Sequence, residues 1–170
     1  MEEWVFHSAF RSHFCTRPLF RGTFASDEIG REKLRPGLFI INTAPRSSDG
    51  EHWVLCHVDK VISYCDSYGL KPFFPEFFKF LGKCPEFVYN KKRLQGPTST
   101  TCGHYCLYLG AKLACGIPLQ DATSKFSSIT SVNDRAIFTL VRKEFPIIGL
   151  RCCSSKETKE ERCTKKFITQ

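Results

Sequence analysis

Gln95-Gly96-Pro97-Thr98-Ser99-Thr100-Thr101-Cys102-Gly103-His104 is a Gly/Pro turn bracketed by a glutamine and a cysteine, and an apolar run begins at the cysteine. That run continues as Tyr105-Cys106-Leu107-Tyr108-Leu109-Gly110-Ala111-Lys112-Leu113-Ala114 and reads as a buried helix, with Cys102, Cys106, Leu109 and Leu113 on one stripe. Thr100 or Thr101 suits the cap, and Gly116 with Pro118 ends the helix. Cys102 therefore falls in the first turn, where unpaired N–H groups and the helix dipole favour an anion. A thiolate is such an anion, so a thiol there is expected to have a lowered pKa and to suit a nucleophile.

A cysteine nucleophile needs a base within hydrogen-bond reach and a group that orients the base. Upstream, Glu51-His52-Trp53-Val54-Leu55-Cys56-His57-Val58 reads as a strand that opens with a histidine. A three-residue turn at Val58-Asp59-Lys60 returns the chain through Val61-Ile62-Ser63-Tyr64-Cys65, and the hairpin ends at Asp66-Ser67-Tyr68-Gly69. In simple register about that turn His52 and Asp66 lie nearly opposite each other at the open end. The imidazole then has one ring nitrogen for Asp66 and the other for Cys102. Gln95, beyond the Gly-Pro turn, has an amide able to donate to an oxyanion beside the backbone N–H of Cys102. Singly these signals are weak, because an Asp in such a segment is usually a turn former and a buried cysteine is usually inert filling. The ordered set of His-Trp, Asp-x-x-Gly, Gln-Gly-Pro and Cys-Gly is the strong signal, and it describes an acyl-transfer site. Of the other histidines, His57 reads as packed or at a rim, and His7 and His13 as part of a surface helix. His104 is the rival base, but a side chain two residues along a helix points away from its neighbour's face.

From about residue 15 to about residue 116 the chain resembles adenain, the cysteine proteinase family of adenoviruses and related virus-like elements. The resemblance is carried by Phe20-Arg21-Gly22-Thr23-Phe24, by Ile41-Asn42-Thr43-Ala44 with Arg46, Gly50 and His52-Trp53, by Asp66-Ser67-Tyr68-Gly69, and by Gln95-Gly96-Pro97 with Cys102-Gly103. The chain order His, Asp, Gln, Cys is also that of the family, whereas papain-type enzymes place the cysteine first. The resemblance implies His52 as general base, Asp66 as its orienter, Gln95 as oxyanion donor and Cys102 as nucleophile. Asp66 stands where adenoviral members usually carry Glu, and beyond Gly116 no motif matches. The resemblance also implies an activating viral peptide held by a disulfide at Cys84 and added as a β-strand beside Phe87-Val88-Tyr89.

The 170 residues suit one domain with a real core, and sixteen phenylalanines with 42% hydrophobic content argue for a folded protein. No apolar run approaches membrane-spanning length and the N-terminus lacks a signal-peptide core, so a membrane partner and secretion are not expected. The ten cysteines include no Cys-x-x-Cys pair. They read as mostly reduced and intracellular, with no metal or small-molecule cofactor, and Cys152, Cys153 and Cys163 as exposed in a polar tail. The net charge of +8, including Lys91-Lys92-Arg93 just before Gln95, fits either a solubilising surface or a salt-sensitive, non-specific DNA contact. Stimulation by DNA is a property of the resembled family.

Trp4, Val5, His7, Ala9, Phe10 and Phe14 suggest a short N-terminal helix, and Leu38-Phe39-Ile40-Ile41-Asn42-Thr43 a strand. Pro72-Phe73-Phe74-Pro75 opens a helix expected to bury Phe74, Phe77, Phe78 and Leu81 before Gly82. Ser131 with Asp134 looks like a capping box for a helix that turns Val132, Ala136, Ile137, Leu140 and Val141 inward and stops before Pro146. Residues 1–150 are thus expected to form one α+β, cysteine-proteinase-like domain, a central helix carrying the nucleophile on a mixed or antiparallel sheet with helices around it. Residues 151–170 read as a mobile, polar and basic tail. The expected protein is a monomeric viral maturation endopeptidase of the virion and host-cell nucleus. By the resemblance it cuts precursor structural proteins at Gly-x/Gly or Gly-Gly/x sites. Two alternatives are a protease for ubiquitin- or SUMO-like conjugates and a non-catalytic DNA-binding protein that retains the fold.

Overall fold

In a computed structural model that describes residues 1–83 and 86–146, three hydrophobic runs form the centre of the molecule. They are β2 (Gly37–Asn42), β3 (Trp53–Val58) and β4 (Ile62–Cys65), and every residue in them is buried. Such unbroken apolar runs belong to strands covered on both faces. They pair antiparallel. The flanking strands β1 (Phe20–Phe24) and β5 (Phe87–Tyr89) run parallel to β2 and β4, which completes a mixed five-stranded sheet in the order β1-β2-β3-β4-β5.

The two faces have separate cores. Phe39, Ile41, Val54, Cys56 and Tyr64 pack against Phe77, Phe80 and Leu81 of α2 (Pro75–Leu81) and against Ile29 in a single 3-10 turn. On the opposite face Leu38, Ile40, Trp53 and Leu55 meet α1 (Glu3–Ser12), α3 (Cys102–Ala114), α4 (Leu119–Ser124) and α5 (Thr130–Glu144). The helix α3 is apolar nearly all round and is therefore buried nearly all round rather than along one stripe. Gly110 lets α1 close on it: a Cβ there would stand 2.8 Å from the Phe10 ring. The α+β class and the central helix on a mixed sheet are as the sequence predicts.

Several details differ. In α1 the buried set is Val5, Phe6, Ala9 and Phe10, while Trp4 and Phe14 are exposed. In α2 Phe80 is buried where Phe78 was expected, and Phe78 faces solvent. In α5 Asn133, Ile137 and Val141 point inward, Val132 and Ala136 are exposed, and no side chain caps the helix start. In each case several apolar residues compete for one narrow stripe, and the neighbour it meets decides which are chosen. The six-residue α4 is too short to show a periodicity and has no counterpart in the sequence reading. The cysteines, expected to be mostly reduced, include one disulfide among the described residues. Cys15 and Cys115 form a disulfide, with Cα atoms 5.6 Å apart, that ties the segment after α1 to the end of α3. Cys56, Cys65, Cys102 and Cys106 are free and buried. Cys84 and the tail, with Cys152, Cys153 and Cys163, lie outside the described residues. No helix among the described residues is long and apolar enough to cross a membrane.

Candidate active site

His52 and Asp66 sit just beyond the paired ends of β3 and β4. The His52 carbonyl accepts the Thr43 N–H at 2.8 Å, which extends the β2–β3 ladder to the histidine. Pairing of Leu55 with Cys65 and His57 with Ser63 makes the turn Asp59-Lys60-Val61. The expected turn was one residue earlier, so the register is displaced by two and Asp66 falls in line with Val54 rather than His52. A displacement of two keeps every side chain on its face, and diagonal neighbours remain within reach of each other. His52 Nε2 accordingly donates to Asp66 Oδ1 at 2.9 Å.

The carboxylate is fixed from behind. Asp66 Oδ1 also accepts the Tyr68 N–H at 2.7 Å. Asn90, one residue past β5, accepts the Asp66 N–H at 2.9 Å and donates to its carbonyl at 2.6 Å. Tyr68 lays its ring on the imidazole, centroids 4.7 Å apart, and the Arg93 guanidinium lies 5.4 Å from the Tyr68 ring centre. With Nε2 committed to Asp66, Nδ1 is the ring nitrogen left for the hydrogen bond between His52 and Cys102.

Burial opposes charge on both partners, but the bonds between them prevail. For His52, burial alone lowers the pKa, yet hydrogen bonds to Asp66 and Cys102 and the charges of both raise it to about 9. For Cys102, burial raises the pKa, but hydrogen bonds from His52 and from the backbone of Trp53 and Gly103 bring the thiol below its usual value. Both shifts run toward a thiolate beside an imidazolium. The other free cysteines differ: burial pushes the Cys56, Cys65 and Cys106 thiols up, which keeps them protonated. His104 is no competitor. Burial lowers its pKa to about 4, and its ring packs on Phe138 at 4.6 Å. Burial also lowers His57.

Gln95 is drawn in by the backbone after Asp66, since the Ser67 carbonyl accepts the N–H groups of both Leu94 and Gln95, at 2.8 and 3.0 Å. Its side-chain oxygen accepts the Ser67 hydroxyl at 2.6 Å, and its amide nitrogen donates to the Ser99 carbonyl. The nitrogen has a second hydrogen, for which the Tyr68 hydroxyl at 3.4 Å is a long and weak partner. Gln95, His52, Tyr68 and Cys102 line one cleft of about 530 Å³, to which Glu2, Glu3 and Arg46 also contribute. Arg46 is itself paired with Glu3 and Glu28, both at 2.6 Å.

Three of the four predicted site residues, His52, Gln95 and Cys102, thus line this cleft, and Asp66 is buried behind it on His52. The sequence reading passed over Ser67 and Asn90, which carry no local signal because their partners, the Gln95 side chain and the Asp66 backbone, are distant in the chain. Two predicted caps are employed otherwise: the Thr101 hydroxyl donates to Asp134 at 2.8 Å instead of capping α3, and Asp134 faces that helix rather than its own. Among the described residues no group of three or more His, Cys, Asp or Glu is placed to hold a metal ion.

The set has the parts that acyl transfer needs: a thiol with a lowered pKa, an oriented proton carrier, and an amide lining the same cleft. No family model and no curated protein matches the chain. Among solved structures it is similar to the crystal structure of the selenomethionine ASFV pS273R protease, with 22% identity and a TM-score of 0.41 over 65% of this chain. The match spans 44% of that protein, less than half its length. So distant a likeness leaves the chemistry of the cleft to its own geometry.

Proposed function

We propose that the protein is a viral-type cysteine endopeptidase. The observation that carries this reading is a cleft lined together by Cys102, His52 and Gln95, in which His52 Nε2 rests on the buried Asp66. The Cys102 thiolate attacks a peptide carbonyl carbon, forming the C–S bond and a tetrahedral oxyanion that takes hydrogen bonds from Gln95 and from backbone N–H. His52 gives its Nδ1 proton to the departing amine as the C–N bond breaks, leaving an acyl-enzyme. Water then attacks the thioester, its proton returns to His52, and the carboxylic acid departs with the thiolate restored.

The finer reading draws on the sequence resemblance and on charge. The substrates are viral precursor proteins cut at Gly-x/Gly or Gly-Gly/x sites in the virion and the host-cell nucleus. The net charge of +8 supports stimulation by DNA. An activating peptide disulfide-bonded to Cys84 would have β5, a short edge strand that begins three residues later in the sequence, to add to.

A peptide vinyl-sulfone probe tests the central claim. The parent protein should label at Cys102, and Cys102→Ser should not. Equal labelling of the two removes the nucleophile assignment. A panel of Gly-containing precursor peptides against ubiquitin-like fusions, each with and without DNA, then separates maturation from deconjugation.

A further inference from the structure

The turn that carries Gln95 is gripped on both sides by two consecutive residues of α5. Asn133 Nδ2 donates to the Leu94 carbonyl at 3.0 Å, in front of Gln95. Asp134 Oδ2 accepts the Gly96 N–H at 2.9 Å, behind it. Asn133 is itself locked, because its oxygen accepts the Ser127 N–H at 2.8 Å and its nitrogen also donates to the Ser127 carbonyl at 2.9 Å. The second oxygen of Asp134 turns the other way. It accepts the Thr101 hydroxyl at 2.8 Å and the Tyr105 hydroxyl at 3.1 Å. Tyr105 shares its single hydrogen with the Leu94 carbonyl at 3.0 Å.

One rigid carboxylate therefore joins the residue after Gln95 to the residue before Cys102. The contact is close enough to explain Gly96, where a Cβ would stand 2.9 Å from Asp134 Oδ2. We infer that Asp134 is a positioning residue, which fixes the separation between the Gln95 amide and the Cys102 sulfur. It acts through Gly96 and Thr101 and touches neither sulfur nor substrate. This inference rests on the protease reading for its catalytic consequence, but the link from α5 to the turn stands independently of it. The relay of His52 and Asp66 is built on β3 and β4 and shares none of these contacts. Loss of Asp134 should therefore separate oxyanion stabilisation from thiolate formation.

Asp134→Asn tests this. The side-chain oxygen can still accept from Thr101 and Tyr105, but an NH2 group then faces the Gly96 N–H, donor against donor. Misplacing one oxyanion donor should lower kcat for a peptide substrate by about 10- to 100-fold and leave KM within about threefold. The rate and pH profile of Cys102 alkylation by iodoacetamide should stay within about twofold of the parent, because the thiolate is set elsewhere. Exchange of the Gly96 amide hydrogen should accelerate at least about tenfold. An unchanged kcat, alkylation that falls in step with kcat, or unchanged Gly96 exchange each overturns the proposal. Thr101→Val removes one donor to Asp134 and the partner of the Ser99 hydroxyl, and should cost kcat about three- to tenfold with normal alkylation. Should Asp134→Asn fail to fold, an unchanged kcat in Thr101→Val overturns the proposal instead. If the parent neither labels with the probe nor cleaves any peptide, the protease reading falls, and Gly96 exchange in Asp134→Asn still decides the positioning role.

Discussion

Asp66→Asn removes one charge from the relay and almost nothing else. His52 Nε2 and the Tyr68 N–H both donate to the same carboxylate oxygen, at 2.9 and 2.7 Å. The Tyr68 N–H therefore selects the Asn rotamer whose oxygen occupies that position, since the flipped amide would set NH2 against N–H. The imidazole keeps its orientation and its tautomer, with the proton on Nε2. What is lost is the charge assistance, about 1–2 kcal/mol when a bond to a charged group becomes a neutral one. At 1.36 kcal/mol per unit that is about one pKa unit, so His52 should titrate near 8 instead of about 9. The weaker imidazolium stabilises the thiolate less, and kcat/KM at neutral pH should fall about five- to thirtyfold. Iodoacetamide alkylation of Cys102 across pH 5 to 10, set beside kcat/KM over the same range, reads both effects. If the alkaline limb stays within about 0.3 units of the parent and neutral activity within about twofold, Asp66 contributes no charge to the relay and this account of the site is wrong.

Other consequences are open to direct measurement. In the parent, the raised His52 and the lowered Cys102 should give a bell-shaped kcat/KM profile that is already high at neutral pH and declines as pH rises through about 9, where the imidazolium is lost. A profile still rising at that pH would mean that thiol and imidazole are not paired. Asn90→Ala strips the buried Asp66 N–H of its partner and leaves the Asp66 carbonyl to the Gly69 N–H alone, and should lower unfolding free energy by about 1–3 kcal/mol in urea titrations. A change under about 0.5 kcal/mol would show that water replaces the side chain at no cost. Cys15→Ser opens a link spanning 100 residues and should cost about 2–4 kcal/mol under oxidising conditions, a loss that a reductant reproduces in the parent. Probe labelling of Cys102 should survive both treatments. Equal stability of the parent with and without reductant would rule out the pairing.

Much of the site was legible because its chemistry is tied to local patterns. The apolar run from Cys102 marks a buried helix, the Gly-Pro turn marks its entry, and the two β-rich runs from Trp53 and from Ile62 mark a hairpin. Where the reading slipped, the competing choices were locally equivalent. Phe78 and Phe80 both suit α2, and a turn at Val58 suits the hairpin as well as one at Asp59. Even so, the register error left the relay intact because it was an even number of residues.

Composition and pattern were sufficient for the α+β class and for a buried helix opening at Cys102, and they single out the histidine, aspartate, glutamine and cysteine of the candidate site. Hydrophobic periodicity and turn chemistry act over a few residues, and these features depend on nothing longer. Only the folded chain decided the diagonal meeting of His52 with Asp66, the grip of Asn90 on the Asp66 backbone, the Cys15–Cys115 link, and the conversion of Asp134 from a cap into a brace. Each of these pairs groups at least fourteen residues apart in the sequence. Their partners are chosen by which buried donors and acceptors the packed layers bring within about 3 Å, a selection no local preference encodes.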